Sequence, residues 1–286
     1  MKLGRSWLAG ALLGLIASAC SPLKMFNAVI PKDGGVRLVV RDAAFGPDPR
    51  QRLDVYAPSA RSATPRPIIV FFYGGSWNSG TKSGYSFVGR ALASRGFVVA
   101  IPDYRLVPQV RYPTFLEDNA EAVRWVRSHA TEMGGDADRL VLMGHSAGGY
   151  DAAMLALDPR WLGADRKAIK ALVGLAGPYD FLPFDGPVVQ RTFGGVADPV
   201  TTQPVHYVER GDPPAFLATG DKDETVRPAN SDSLAAKLRS AGVSVERRRY
   251  PAVGHAGLVT AIAKPLRGRA PVLDDMTAFV NREVGR

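Results

Sequence analysis

The apolar positions of this chain fall into short unbroken runs, at residues 68–72, 97–101, 140–143, 171–175 and 215–218. Continuous rather than alternating hydrophobicity means burial on both faces, which is how a central parallel strand reads. Residues 37–40 and 52–56 instead alternate, and predict antiparallel edge strands joined through turn residues at 45–49. Helical patterns lie between the runs, at about 84–95, 113–130, 148–157 and 231–240. Strand and helix alternating at this spacing predict an α/β chain, a doubly wound, mostly parallel sheet with helices on both faces and right-handed crossovers. Residues 177–213 keep no period and are rich in Pro, Gly and aromatics. That is too long for an ordinary connection, so a small cap insertion is expected there.

Composition narrows the classes. With 286 residues, 46% hydrophobic and 22% charged, the chain is ordinary globular material, and one domain over residues 36–286 is expected. The net charge of +9 is spread along the chain, with Arg247, Arg248 and Arg249 as its one short run. A solvated basic surface follows, not a nucleic-acid site. His129, His145, His206 and His255 stand in no metal-binding spacing, so neither metal nor cofactor is expected.

The first residues carry a different signal. A basic start, an apolar run over 7–19 and small residues at Ala17 and Ala19 predict a signal peptide over 1–19, followed by a linker over 20–35. Cys20 is the one cysteine, so no internal disulfide forms. Residues 17–20 resemble a bacterial lipobox, departing from it at Ala17, where leucine is usual. Lipidation of Cys20 is therefore expected, giving an exported periplasmic or membrane-anchored lipoprotein; plain cleavage and secretion is the alternative.

The chemistry centres on residues 140–149, which read as strand, sharp turn and helix with Ser146 at the turn. Gly144 and Gly148 flank it at two residues on either side, where a strand-to-helix turn leaves no room for side chains. A serine hydroxyl needs a base, and the base needs a carboxylate to hold one tautomer. In such sheets the chain order is Ser, acid, His. Downstream of Ser146 only His206 and His255 exist; His255 follows a strand-like run at 243–250 and is glycine-flanked, so it is the expected base. Asp221 and Asp223 both stand in the preceding turn. Asp223 is the better acid, three residues past Gly220, and Asp221 is expected to bond turn amides. For the oxyanion, the backbone N–H groups of Gly74, Gly75 and Ala147 are the candidates.

These features resemble the α/β-hydrolase serine esterases of the hormone-sensitive-lipase-like branch, which includes kynurenine formamidases and prenylcysteine methylesterases. The resemblance runs over about residues 52–280. It rests on Tyr73-Gly-Gly-Ser-Trp77 against a His-Gly-Gly-x-Trp pattern, Asp103-Tyr-Arg105, Gly144-His-Ser-Ala-Gly148, Asp223 and Val226 after Gly220, and His255. Tyr73 departs from the pattern, where a histidine braces the oxyanion loop. The resemblance implies an α/β-hydrolase fold and a serine carboxylesterase without cofactor. An amidase or arylformamidase is the runner-up, and a non-catalytic binding protein of the same fold is the reading from another class. Phe71, Tyr73 and Trp77 are expected to wall a pocket for small or medium acyl groups, and no apolar stripe at helical spacing, as a lipase lid helix would show, is seen in residues 177–213.

Overall fold

In the computed structural model, which describes residues 22–285, the unbroken apolar runs lie side by side. The predicted signal segment and Cys20 fall outside the described residues. The eight strands are β1 (Val36–Ala44), β2 (Arg52–Pro58), β3 (Arg66–Phe72), β4 (Val98–Pro102), β5 (Gly135–His145), β6 (Ile169–Leu175), β7 (Ala215–Gly220) and β8 (Val245–Tyr250). They form one sheet in the order β1-β2-β4-β3-β5-β6-β7-β8. β2 runs antiparallel to both β1 and β4, and all pairs from β4 to β8 are parallel. Because β3, β4, β6 and β7 are buried along nearly their whole length, both faces must be covered.

The cover is helical. The α-helices of the described residues are α1 (Pro22–Val29), α2 (Ser86–Ser94), α3 (Thr114–Ser128), α4 (Ala147–Leu157), α5 (Pro159–Leu162), α6 (Pro187–Phe193), α7 (Ala229–Ser240), α8 (His255–Thr260) and α9 (Val272–Glu283). α3 packs against α4, and α9 against α2. α4 is the most completely enclosed: all its residues are buried, which is why it reads as small and apolar all round with no polar stripe.

Three elements differ from the sequence reading. β2 is not an edge strand: β1 and β4 pair along its two sides, and the five residues at its centre are buried. Its polar Asp54 accepts from the Asp42 N–H and the Lys82 ammonium, both at 2.9 Å, which preserves an alternating appearance in a covered strand. The predicted linker contains α1, docked by Asn27, whose amide donates to the Ser83 carbonyl and accepts from the Phe87 N–H. α9 was not anticipated, although Val272, Leu273, Met276, Phe279 and Val280 bury one face at helical spacing.

The excursion between β6 and β7 holds α6 and two 3₁₀ turns, Pro199–Thr202 and Pro204–Tyr207. Phe193 of α6 is fully buried, edge-on to Trp77 and packed on Tyr150 of α4 and on Phe181 and Phe184. An aromatic cluster thus seats this segment on α4 and on the loop after β3.

Candidate active site

At the carboxyl end of β5 the chain must reverse into α4 within one residue, and Ser146 takes the reversal at φ 56° and ψ −124°. Such a backbone costs a non-glycine residue about 1–3 kcal/mol and persists only where neighbours fix it. The fixing is visible: Ser146 donates its N–H to the Leu175 carbonyl at 2.8 Å. A Cβ on Gly148 would lie 2.1 Å from the Phe72 carbonyl oxygen, and one on Gly144 would lie 1.9 Å from that of Gly148.

Ser146 Oγ stands 2.8 Å from His255 Nε2, and His255 Nδ1 stands 2.8 Å from Asp223 Oδ2. With a carboxylate at Nδ1, that nitrogen carries the proton and donates, leaving Nε2 to accept from the serine hydroxyl. Asp223 is buried. Burial works against its charge, but the His255 hydrogen bond and the N–H groups of Val226 and Thr225 outweigh it, so its pKa lies below the usual aspartate value. Its Oδ1 takes those two N–H groups at 2.9 and 3.0 Å. The turn-amide role expected of Asp221 therefore belongs to the second oxygen of Asp223. Asp221 points outward and pairs with Arg249 at 2.7 Å, away from the imidazole. His206, on the second 3₁₀ turn of the excursion, is not part of this chain of contacts; its ring packs on Tyr207.

The loop after β3 carries the other candidates. Gly74 has no space for a side chain: a Cβ would lie 2.9 Å from both the His145 carbonyl oxygen and Ser146 Cβ, so the loop backbone lies directly against the elbow. Gly75 sits at φ 139°, followed by Ser76 and Trp77 at φ 51° and 57°. No acceptor within the described residues takes the N–H of Gly74, Gly75 or Ala147. Ala147 opens α4, so its N–H also lies at the positive end of the helix dipole.

Phe71, Tyr73 and Trp77 do not wall a pocket. Phe71 and Tyr73 have no exposed surface, and Trp77 is 4% exposed. They brace the loop from behind. Trp77 donates its indole N–H to Asp151 Oδ1 at 3.0 Å, and Asn119 donates to Oδ2 at 3.1 Å. Full burial of Asp151 lifts its pKa well above the usual range, opposed by these two donors.

Sequence reasoning missed His145. It lies wholly inside, with its ring 4.9 Å from that of His255 and Nε2 3.2 Å from the His255 carbonyl oxygen. Burial, then the nearby His255, lowers its pKa to about 3. A neutral imidazole thus holds the backbone of His255 without adding a second positive charge beside it. The available signal was its place next to Ser146, on the inward side of the elbow.

An eight-stranded, mostly parallel sheet carrying a serine at a strained strand-to-helix turn, with His and Asp at the ends of later strands, defines an α/β hydrolase. The chain matches the BD-FAE family model over residues 53–238, and it belongs to that family. Among curated relatives it is 30% identical to esterase LipC of Mycobacterium tuberculosis over 75% of this chain and 59% of that one. It is 28% identical to a probable isoprenylcysteine alpha-carbonyl methylesterase of Oryza sativa over 86% of this chain and 63% of that one. With carboxylesterase NlhH of M. tuberculosis it shares 31% identity over 71% and 70%. The chain thus spans about 60% of the length of the first two relatives. A phosphonate-inhibited esterase B of Lactobacillus rhamnosis superposes with a TM-score of 0.81, covering 99% of this chain and 97% of that one at 20% identity.

Proposed function

We propose that this protein is a serine carboxylesterase. The observation that carries the reading is the unbroken relay from Asp223 through His255 to Ser146, with both links at 2.8 Å, beside three N–H groups that have no acceptor among the described residues. In the proposed reaction His255 Nε2 takes the Ser146 proton as Oγ adds to the ester carbonyl. The oxyanion collects the N–H groups of Gly74, Gly75 and Ala147. His255 then returns the proton to the departing alcohol, and water, activated by the same nitrogen, releases the acid. Asp223 stays ionised and stabilises the imidazolium. The names of LipC and NlhH support an ester substrate, and no step calls for a cofactor.

Small or medium acyl groups are proposed as the preferred substrates. Phe71, Tyr73 and Trp77 are buried and shape no pocket, but the longest helix of the excursion, α6, has seven residues, too short for an amphipathic lid that opens onto a lipid surface. p-Nitrophenyl esters of about two to six acyl carbons should be cleaved with higher kcat/KM than those of twelve or more, because each added methylene contributes its ~0.8 kcal/mol only while the site has room. Faster turnover of long-chain emulsions than of soluble short esters would point to a lipase instead. Export with lipidation at Cys20 is proposed as well, on the strength of the first twenty residues; among the described residues no helix is long and apolar enough to cross a membrane.

A further inference from the structure

The loop that carries Gly74 and Gly75 is held in a backbone conformation that it would not keep unaided. Ser76 and Trp77 are consecutive non-glycine residues in the left-handed region, a conformation that surroundings must impose. At the crest, Asp151 holds the Trp77 indole, and the Val107 N–H donates to the Trp77 carbonyl at 2.8 Å. At the two feet the holding group is one guanidinium. Arg50, from the turn between β1 and β2, donates to the Tyr73 hydroxyl at 2.9 Å and to the Gly80 carbonyl at 3.0 Å through the same nitrogen, while its Nε donates to the Tyr104 carbonyl at 2.8 Å.

Tyr73 is the residue before Gly74, and Gly80 closes the loop. The feet also touch directly, since a Cβ on Gly80 would lie 2.7 Å from the Tyr73 ring. The Tyr73 ring is itself fixed, stacked on Tyr104 at 4.8 Å and on Tyr85 at 5.8 Å, and the Tyr104 hydroxyl donates to the Tyr73 carbonyl at 2.9 Å. Asp103, 3.9 Å from the Arg50 guanidinium, balances its charge and accepts the Lys82 N–H at 2.6 Å, two residues beyond Gly80.

We infer that Arg50 and Tyr73 are positioning residues for the ester reaction: their hydrogen bond clamps the two feet of the 74–80 loop so that the Gly74 and Gly75 N–H groups are held where an oxyanion forms. Neither reaches the reacting atoms. This rests on the serine esterase reading and adds to it the device that keeps the donors aimed. A planar fork with several fixed donors can span three acceptors in this way, whereas a lysine ammonium on a flexible stem cannot hold the same geometry.

The test uses the full-length protein and p-nitrophenyl butyrate. Tyr73→Phe removes one hydroxyl from a ring that stays stacked, and Arg50→Gln removes the fork. Losing an oxyanion donor outright costs about 10²–10³ in kcat; a donor that is misaimed but present should cost less. Both variants should therefore lose about 10- to 100-fold in kcat with KM within about threefold of wild type. The double variant should be little worse than Arg50→Gln alone, because the Arg50–Tyr73 hydrogen bond that Tyr73→Phe breaks is one of the three that Arg50→Gln removes. Arg50→Lys should recover only part of the loss. Backbone amide exchange across residues 73–80 should speed up in each variant, a readout independent of turnover.

Folded Tyr73→Phe protein with kcat within twofold of wild type overturns the clamp, as does a loss that falls on KM alone. Should Arg50→Gln fail to fold, Tyr73→Phe decides by itself. Wild-type protein that neither hydrolyses the ester nor reacts with a fluorophosphonate overturns the esterase reading and the clamp together, and is told apart because it appears before any substitution.

Discussion

At the scale of single residues, Asp223 and Asp221 are two residues apart in one turn and do opposite things. Asp223 is buried against the imidazole and two backbone N–H groups, while Asp221 holds a surface arginine. Replacing Asp223 by Asn should lower kcat by up to about 10⁴-fold, because an amide no longer enforces the tautomer with Nδ1 protonated. Asp221→Asn should cost less than about threefold, since an exposed ion pair contributes little. Steady-state kinetics on one short-chain ester compares them, and a reversed order would make Asp221 the acid.

His145 gives a prediction in pH. Its folded-state pKa, about 3, lies below the ordinary histidine value of 6.5, so the unfolded chain binds the extra proton first. Its contribution to stability is fully present above about pH 6.5 and is lost as the pH falls towards 3, with an upper bound of about 5 kcal/mol at roughly 1.4 kcal/mol per pKa unit. Asp223 acts in the same direction below about pH 4, because its pKa is also lowered. Urea unfolding at pH 7 and pH 4.5 should show a smaller acid penalty for His145→Gln than for wild type. An equal penalty in both proteins would mean that His145 is not the group responsible.

At the scale of elements, the elbow depends on backbone contact that no side chain can share. Gly148→Ala should destabilise the fold by about 2 kcal/mol or more, since overpacking at 2.1 Å from the Phe72 carbonyl has rigid backbone on both sides. Gly268→Ala, where an added Cβ would meet nothing within 4 Å, should leave the urea midpoint nearly unchanged. Strands at 68–72, 97–101 and 215–218 were legible in the sequence because burial on both faces writes an unbroken apolar run. β2 was misplaced because one buried face carries Asp54, neutralised by Lys82, and such a partner 28 residues away leaves no local trace. The pocket expected of Phe71, Tyr73 and Trp77 failed for a related reason. Aromatic residues next to a glycine loop fit equally a wall in front of it and a support behind it, and only the fold distinguishes the two.

At the scale of the whole molecule, Ser146, Asp223 and His255 all sit at the carboxyl ends of parallel strands, where strand β5, the turn after β7 and the loop after β8 converge. The described residues begin at Pro22, two beyond Cys20, and α1 docks through Asn27 on the segment that follows the 74–80 loop. If Cys20 is acylated, the domain is tethered through this helix. Exported protein should then partition into detergent, and Cys20→Ser should release it into the aqueous phase or stall its processing. Intact-mass analysis showing an unmodified chain that begins at Cys20 would decide for plain secretion.

Covalent labelling shows directly whether Ser146 is the nucleophile of an ester hydrolase. Wild-type protein should take up one equivalent of a fluorophosphonate and lose p-nitrophenyl ester turnover in step, with the added mass mapped to the peptide that contains Ser146. Ser146→Ala should keep the wild-type melting profile to within a few degrees, take no label and show no turnover. Label on another residue, or turnover near the wild-type rate in the Ser146→Ala protein, would rule Ser146 out as the nucleophile.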